Sequence, residues 1–518
     1  MSVRFSPLKP LVVSLSLLAG CALDDAKRQQ VMGRKTPPSG VPISSAKVIQ
    51  PKSAEAAVPG SQSKKVSVED CILFALQHNF AVRMATASER SAAAQLVQAK
   101  AVFDPTVGGT VVSSRPEGQG WSSATASGGI AQKLPSGADI RVEAVDVYRR
   151  TGDFRDDYLS GGGTSDLTLS ITQPLLQGAW GVNRSGIQLA GLLKEQASAT
   201  RTAEVLEMLR AAEAAYWSAA TAEERLERQR HSMQRAQKLH ADVKARLEAG
   251  EASQLDLLEA DVALAGAQER LVAAQRAKED LMDDLWFVLG VPVNLRQSGI
   301  ALSDAGEKAI ITEKPDPEAS IARALTLAPT SVLLVNEVHR REIELAKARN
   351  NLLPRVDLEM NVDHFSGATT TSASGANPGS ASGFDAVALM RVSLPLTLRA
   401  ERAGLEKAKA EMDRSQAGRE QAELRLRQRV SELCRALDSG HESLRASKVS
   451  LLANQKKLEE QMRRHAEGLL STHDLRLAQE EMEAAEVREL QARLALLGDQ
   501  VSLGQLEGTL AARHGLTL

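Results

Sequence analysis

The chain has 518 residues, a formal net charge of −2, and only 3% aromatic residues against 43% hydrophobic ones. A near-neutral chain without a basic arm or stripe gives no reason to expect a nucleic-acid partner. So few aromatics argue against ordinary compact cores and for long helices packed closely through small side chains, as in Ala211-Ala212-Glu213-Ala214-Ala215.

At the N-terminus, Arg4 and Lys9 precede an apolar run over residues 11–18 that is too short to span a bilayer. Residues 1–20 therefore read as a secretory signal. The run ends in Leu18-Ala19-Gly20-Cys21, which resembles a bacterial lipobox, where the Cys21 thiol takes a diacylglycerol before cleavage. Ala22 follows where an inner-membrane retention signal has Asp, so an outer-membrane lipid anchor is expected. Residues 21–65, with Pro37, Pro38, Pro42, Pro51 and Pro59, read as a flexible tether.

A first unit is expected over residues 66–292. Ser67, with Asp70 three residues on, opens a helix that runs towards Val102. Between Pro105 and Pro174 lie four strand candidates, at residues 105–114, 124–134, 138–147 and the strictly alternating 166–172. Residues 183–249 then predict one helix of about 100 Å, and a shorter helix follows from Ser253 to Leu289. Residues 293–316 read as a connector of short elements. The second unit, 317–515, repeats the order: a helix from Asp316-Pro317 to Leu353, strands at 355–363 and 386–394 between Pro354 and Pro395, a long helix over 399–467, and a helix from Ser471 to about Ala512.

The repetition is numerical as well as qualitative. Ala75-Leu76 and Phe103-Asp104-Pro105 recur 249 residues later as Ala324-Leu325 and Leu352-Leu353-Pro354, and Gly250, Ser253 and Asp256 recur 218 residues later as Gly468, Ser471 and Asp474. Gly250 and Gly468 supply left-handed residues that end the long helices, and Ser253 and Ser471 cap the helices that follow. The four prolines mark joints between helix and strand, where a ring without an N–H ends one hydrogen-bond ladder and opens the next. Pro105 and Pro174 are 69 residues apart but Pro354 and Pro395 only 41, a surplus of about one hairpin in the first unit.

Leu134-Pro135-Ser136-Gly137 is a tight turn, whereas 113–123, 149–165 and 364–385 are long and polar, the asymmetry of an outer-membrane barrel with short periplasmic turns and long exterior loops. Six strands cannot enclose a water-filled lumen, so the barrel must be shared. Three chains give 18 strands, or 12 if the additional hairpin only decorates the rim. Phe103 and Trp180 near the inner joints, with Tyr148, Phe365 and Phe384 near the outer ends, suit aromatic girdles.

Phe103-Asp104-Pro105, Gln173-Pro174-Leu175-Leu176-Gln177-Gly178, the paired Gly-x-x-Ser-x-x-Asp turns and Leu285-Trp286-Phe287-Val288-Leu289-Gly290 together resemble the TolC family of outer membrane efflux proteins over about residues 66–515. The resemblance implies a mainly α fold with a membrane β-barrel part: a duplicated coiled-coil α-barrel continuing a transmembrane β-barrel shared in a homotrimer. It also implies a channel through which an inner-membrane transporter and a periplasmic adaptor pass substrates outward, in tripartite efflux or type I secretion. The turns at Gly250, Ser253, Gly468 and Ser471 would be the adaptor-docking tips. Asp474, with Asp256 as its counterpart, would ring the closed periplasmic gate. The family pattern has a second acid at the place of Leu477 and a basic clamp at the place of Leu470; both are missing here, which leaves His465, Arg463 and Arg464 as candidate latches.

No phosphate loop, nucleophile elbow or His-Glu-x-x-His is present, so no enzyme, cofactor or metal site is expected. Asp153, Asp156 and Asp157 do not match a calcium loop. Cys71 and Cys434 suit either small buried apolar positions or one disulfide. The alternative function, a lipid-anchored periplasmic coiled-coil adaptor or spacer, accounts for the helices but not for alternating strands placed symmetrically between them.

Overall fold

The computed structural model describes residues 65–114, 121–151, 160–296, 301–302, 310–311, 314–370 and 379–516. All of these lie in one unit, Ala56–Thr517. The expected signal segment, Cys21, the tether, the centres of the three long loops, Asp153, Asp156 and Asp157, and much of the connector lie outside the described residues.

In chain order the elements are β1 (Lys65–Val66), α1 (Val68–His78), α2 (Phe80–Lys100), β2 (Thr106–Ser114), β3 (Trp121–Lys133), β4 (Asp139–Thr151), β5 (Ser160–Pro174), α3 (Ser185–Glu248) and α4 (Gln254–Leu289). The second half continues with β6 (Ala301–Leu302), α5 (Pro317–Leu327), α6 (Pro329–Asn350), β7 (Arg355–Thr370), β8 (Gly379–Ser393), α7 (Arg399–Ala466), α8 (Thr472–Glu507) and α9 (Leu510–Arg513). The fold is mostly helical. The two long helices hold 64 and 68 residues, about 100 Å each at 1.5 Å per residue. Among the described residues no single helix is long and apolar enough to cross a membrane.

Two expected helices are broken. The segments from Ser67 and from Pro317 are each two helices, parted at Asn79 and Ala328, both in extended backbone with ψ of 130° and 131°. Asn79 stops α1 and caps α2: its Oδ1 accepts from the Ala81 and Val82 amides at 2.8 and 3.2 Å, while its Nδ2 donates to the Val288 carbonyl at 2.8 Å. Ala328 is forced out of helical backbone by the ring of Pro329, and the helices meet there at a 52° bend. Apolar periodicity runs through both breaks and masks them, although Pro329 marks the second. The last long helix likewise stops at Glu507 rather than near Ala512, because Gly508 adopts φ 73°, the counterpart of Gly290 at 75°. A Cβ on Gly290 would stand 2.7 Å from the His78 carbonyl oxygen, and one on Gly508 3.0 Å from that of Leu327. Each half therefore closes the end of its returning helix against the end of its short one.

These closures sit in the main apolar core, where Ile72, Ala75, Leu209, Tyr216, Leu285, Leu289 and Leu510 are almost fully enclosed. The Tyr216 hydroxyl donates to the Val66 carbonyl at 3.0 Å, tying β1 to α3. A second cluster gathers Ile321, Val430, Leu433, Cys434 and Leu496. Cys71 belongs to the first cluster and Cys434 to the second; both are free thiols, so the disulfide alternative is corrected. Burial pushes the Cys71 thiol up to about 12, the behaviour of a small apolar core residue.

The sheet is one antiparallel meander in the order β2-β3-β4-β5-β7-β8, so all six expected strands are present. They are longer than the alternating segments predict. The ladders run on through Gly161, Gly162 and Gly163 opposite Thr370, Thr369 and Ala368, where small residues pair by backbone without any period-two signal. Register sorts the side chains into two faces. Ile140, Val142, Leu167, Leu169, Ile171, Val356, Leu358, Met360 and Val362 share one face, and Asp139, Arg141, Glu143, Thr168, Ser170, Thr172, Asp357, Glu359 and Asn361 the other. Tyr148 and Phe384 fall on the apolar face, but Phe365 falls on the polar one, opposite Gly383, so it is no part of an outer girdle.

Candidate functional site: the paired turns and the strand joints

The turns between the long helices are built from repeated local chemistry. Gly250 and Gly468 end α3 and α7 at φ 78° and 76°, with open space around each. Ser253 then caps α4: its Oγ accepts from the Asp256 amide at 3.2 Å, while Asp256 Oδ2 accepts from the Ser253 amide at 2.9 Å and hydroxyl at 2.7 Å. Ser471 caps α8 alike, accepting from the Asp474 amide at 3.1 Å and donating to Asp474 Oδ2 at 2.7 Å. The repeated Gly-x-x-Ser-x-x-Asp spacing is thus a left-handed helix stop followed by a cap whose acid lies in the first turn of the next helix. Asp474 is exposed and Asp256 half-buried.

The two turns meet. Arg246, near the end of α3, donates to the carbonyls of His465 at 3.0 Å and Ala466 at 3.1 Å, adding a side-chain partner at the end of α7 across the interface. His465 is buried, and its Nε2 lies 3.5 Å from the hydroxyl of Thr472, the first residue of α8. Its surroundings are Arg246 and Asp242 on α3 and Asp256 on α4; burial, then Arg246, hold the imidazole below its usual range. The Asp256 carboxyl is held low first by Ser253, with smaller contributions from Thr472 and His465. Behind these contacts lies a small apolar cluster of Leu239, Val243, Ala260, Leu458, Leu475, Ala478 and Met482.

Of the latch candidates named from sequence, His465 stands at the interface. Arg463 and Arg464 pair instead with Glu460 on their own helix, at 2.8 and 3.1 Å. Leu470 is half-buried, packed on the apolar cluster, and Leu477 is exposed. Arg246 and Thr472 escaped sequence reasoning, because one more Arg near a helix end and one more Thr in a cap carry no distinguishing pattern.

Higher up, α3 and α8 are joined by buried charge. Arg228 reaches Glu224 at 2.5 Å and Glu489 at 2.9 Å; Arg493 pairs with Glu224 and lies 3.8 Å from Glu489. Ser232 donates to Glu483, which also holds Arg270 at 2.9 Å. Arg493 and Glu489 are almost inaccessible, so each charge depends on its partners. In sequence these are ordinary Glu and Arg on helices, and nothing marks them as buried.

At the opposite end of the long helices, Pro105 directly precedes β2, Pro174 closes β5, Pro354 directly precedes β7, and Pro395 follows β8 by two residues. Trp180 and Leu398, 218 residues apart, take φ of 58° and 44° where strand passes to helix, the two non-glycine residues with positive φ among those described. Backbone strain therefore recurs at equivalent points of the two halves. A polar cavity of about 950 Å³ opens there on the polar face of the sheet, lined among others by Lys133, Asp139, Arg141, Arg355, Asp357 and Lys347. Among the described residues no group of three His, Cys, Asp or Glu is placed to hold a metal ion.

The model of the outer membrane efflux protein family matches residues 73–291 and 336–509. No curated protein matches the chain. Among solved structures, CusC is similar at 15% identity and TM-score 0.65, covering 85% of this chain and 92% of its own. The open state of the Neisseria gonorrhoeae MtrE channel is similar at 17% and 0.62, covering 86% and 89%. The Campylobacter jejuni CmeC channel is similar at 14% and 0.61, covering 85% of each chain.

Proposed function

The chain belongs to the outer membrane efflux protein family, and from that premise we propose that three copies assemble into one channel whose lower end is gated by the paired turns. It is an outer-membrane channel of tripartite efflux systems, and channels of this family work with periplasmic adaptors and inner-membrane pumps. The observation that carries the trimer is the open sheet. It has one apolar and one polar face, and its outer strands, β2 and β8, each have a single neighbour. Neither an exposed edge nor an apolar face of Val107, Val111, Ile130, Met360 and Met390 is tolerable in isolation, and both are resolved by closing the sheet with further copies inside a bilayer.

In this reading the long helices carry the passage into the periplasm, and Gly250, Ser253, Gly468 and Ser471 present the adaptor-docking tips. Exposed leucines beside the caps, Leu255, Leu258 and Leu469, supply apolar contact there. Asp256 and Asp474 line the gate. Arg246 stands in for a basic clamp at Leu470: it reaches across from α3 and fastens the end of α7. Cys21 carries the lipid anchor and adds hold on the outer membrane. The exported substrate is set by the pump.

The test is electrical. Purified full-length protein added to a planar lipid bilayer is expected to give discrete conductance steps, and Arg246→Gln is expected to raise the fraction of time spent open. A protein that forms trimers yet never conducts, in either form, contradicts the channel reading.

A further inference from the structure

The two halves of the chain are equivalent at every joint, but they do not contribute equally to the sheet. Between equivalent prolines the second half builds one hairpin, β7 and β8, whereas the first builds four strands, β2 to β5. One hairpin of the first half thus has no counterpart in the second, and it is either a decoration or part of the wall. β3 and β4 are bonded to each other along their whole length, from Trp121 opposite Thr151 to Lys133 opposite Asp139. They are also bonded to β2 and β5 over matching ladders, so no bond joins β2 directly to β5. The turn between them is seated on the joint. The Trp180 amide donates to the Ser136 carbonyl at 2.9 Å, Ser136 Oγ donates to Gln173 Oε1 at 3.1 Å, and Gln173 Nε2 returns to the Ser136 carbonyl at 3.2 Å. Gly137, at φ 94°, leaves no room for a Cβ against Asn183 and Gly178. The hairpin carries the same two faces as the rest of the sheet, with Ile130, Ile140 and Val142 on the apolar side and Asp139, Arg141 and Glu143 on the polar side.

We propose that β3 and β4 are barrel wall, and that they widen the exit to admit large hydrated solutes that a barrel built from one hairpin per half would exclude. Widths at the joint agree. Four helix ends (α2, α3, α6 and α7) meet the sheet there, an arc of about 36 Å at 8–10 Å per helix. Six strands at about 4.8 Å spacing and about 40° tilt cover about 38 Å, while four cover only about 25 Å. Closed by three copies, six strands per chain give a backbone radius of about 18 Å against about 12 Å for four, roughly doubling the enclosed cross-section. On the polar face, positive side chains are matched by acids: Arg141 with Asp139 at 2.9 Å, Arg355 with Asp357 at 2.7 Å, and Arg391 with Glu359 at 3.1 Å. Glu143, Asp166, Asp363 and Asp385 share that face, so among the described residues the lining carries more acid than base; its width sets the size limit and its charge favours cations.

This rests on the trimeric channel reading, and the experiment keeps the two apart. Full-length protein is compared in planar bilayers with a variant lacking residues 119–157, in which β2 and β5 become one hairpin; both are sized with polyethylene glycols of increasing radius. Three chains per particle and a conducting parent hold the channel reading whatever the variant does. The variant is expected to lose about half the conductance and to exclude smaller polymers than the parent. Unchanged conductance and cutoff overturn the proposal and make the hairpin a rim decoration. Should the shortened chain fail to assemble, cysteines in the full chain decide. Arg141→Cys is expected to let a charged, membrane-impermeant thiol reagent change the single-channel current, and Val142→Cys is not; an equal response at both positions, or none at either, overturns the proposal.

Discussion

The middle of the long helices and their turn end are held together by different means. Around the midpoint of α3, parts of α1, α3, α4 and α8 enclose a broad apolar core that includes Ala75, Leu209, Tyr216 and Leu289. At the turns, a small apolar cluster is supplemented by polar bridges from Arg246 to the α7 carbonyls and from Thr472 towards His465. Between them lies the buried charge network of Arg228, Glu224, Glu489 and Arg493. Apolar burial is non-directional and costly to undo, whereas a few hydrogen bonds at a wet tip are exchangeable for water at about 1 kcal/mol each. One duplicated chain thus has a permanent middle and a releasable end, which is what a conduit closed at one mouth requires.

The largest expected effect lies in the buried network. Arg493→Leu leaves the two carboxylates of Glu224 and Glu489 to share Arg228 alone and is expected to cost about 3–5 kcal/mol, read by thermal or denaturant unfolding in detergent. Removing Glu489 as well is expected to recover part of that loss. Next comes the permanent middle, where Leu209→Ala is expected to cost about 2–5 kcal/mol through lost burial and an unfilled cavity. Truncation of exposed Leu258 at the turn is expected to change stability by less than about 0.5 kcal/mol; equal losses at the two positions break the contrast. Ser253→Ala and Ser471→Ala each remove a helix cap and are expected to cost about 1 kcal/mol, with a larger change in channel opening than in melting temperature.

The smallest effect is a pH response of the turns. Burial and Arg246 hold His465 below its ordinary value of 6.5, so the closed arrangement binds fewer protons than a separated one. Its contribution to closure is complete above that value and is lost as pH falls through the lowered one. Acidification is therefore expected to increase the open fraction, and His465→Gln to flatten the response.

Much of this was legible in the sequence because the repeated residues carry backbone jobs. Gly250, Gly468, Ser253, Ser471 and the four prolines stop, cap or separate elements, and their spacing gave the helix lengths, the six strands and the turns. Less local features stayed hidden. The break at Asn79 lies under uninterrupted apolar periodicity, as does the one at Ala328 despite the Pro329 that marks it, and the outer halves of the strands are rich in Gly, Ser and Thr that pair without alternating. Arg246, Glu489 and Arg493 owe their importance to a neighbouring helix hundreds of residues away, which no short-range pattern reports. Trp180 and Leu398 hold positive φ without being glycine, so nothing in their identity announces it.

The most direct measurement is the molar mass of the detergent-solubilised full-length protein, corrected for bound detergent and lipid. Three chains per particle is the expected result, since six strands with two open edges can enclose a lumen only in company. A stable monomer that retains its strands would contradict the shared channel and return the long helices to a lipid-anchored coiled-coil role.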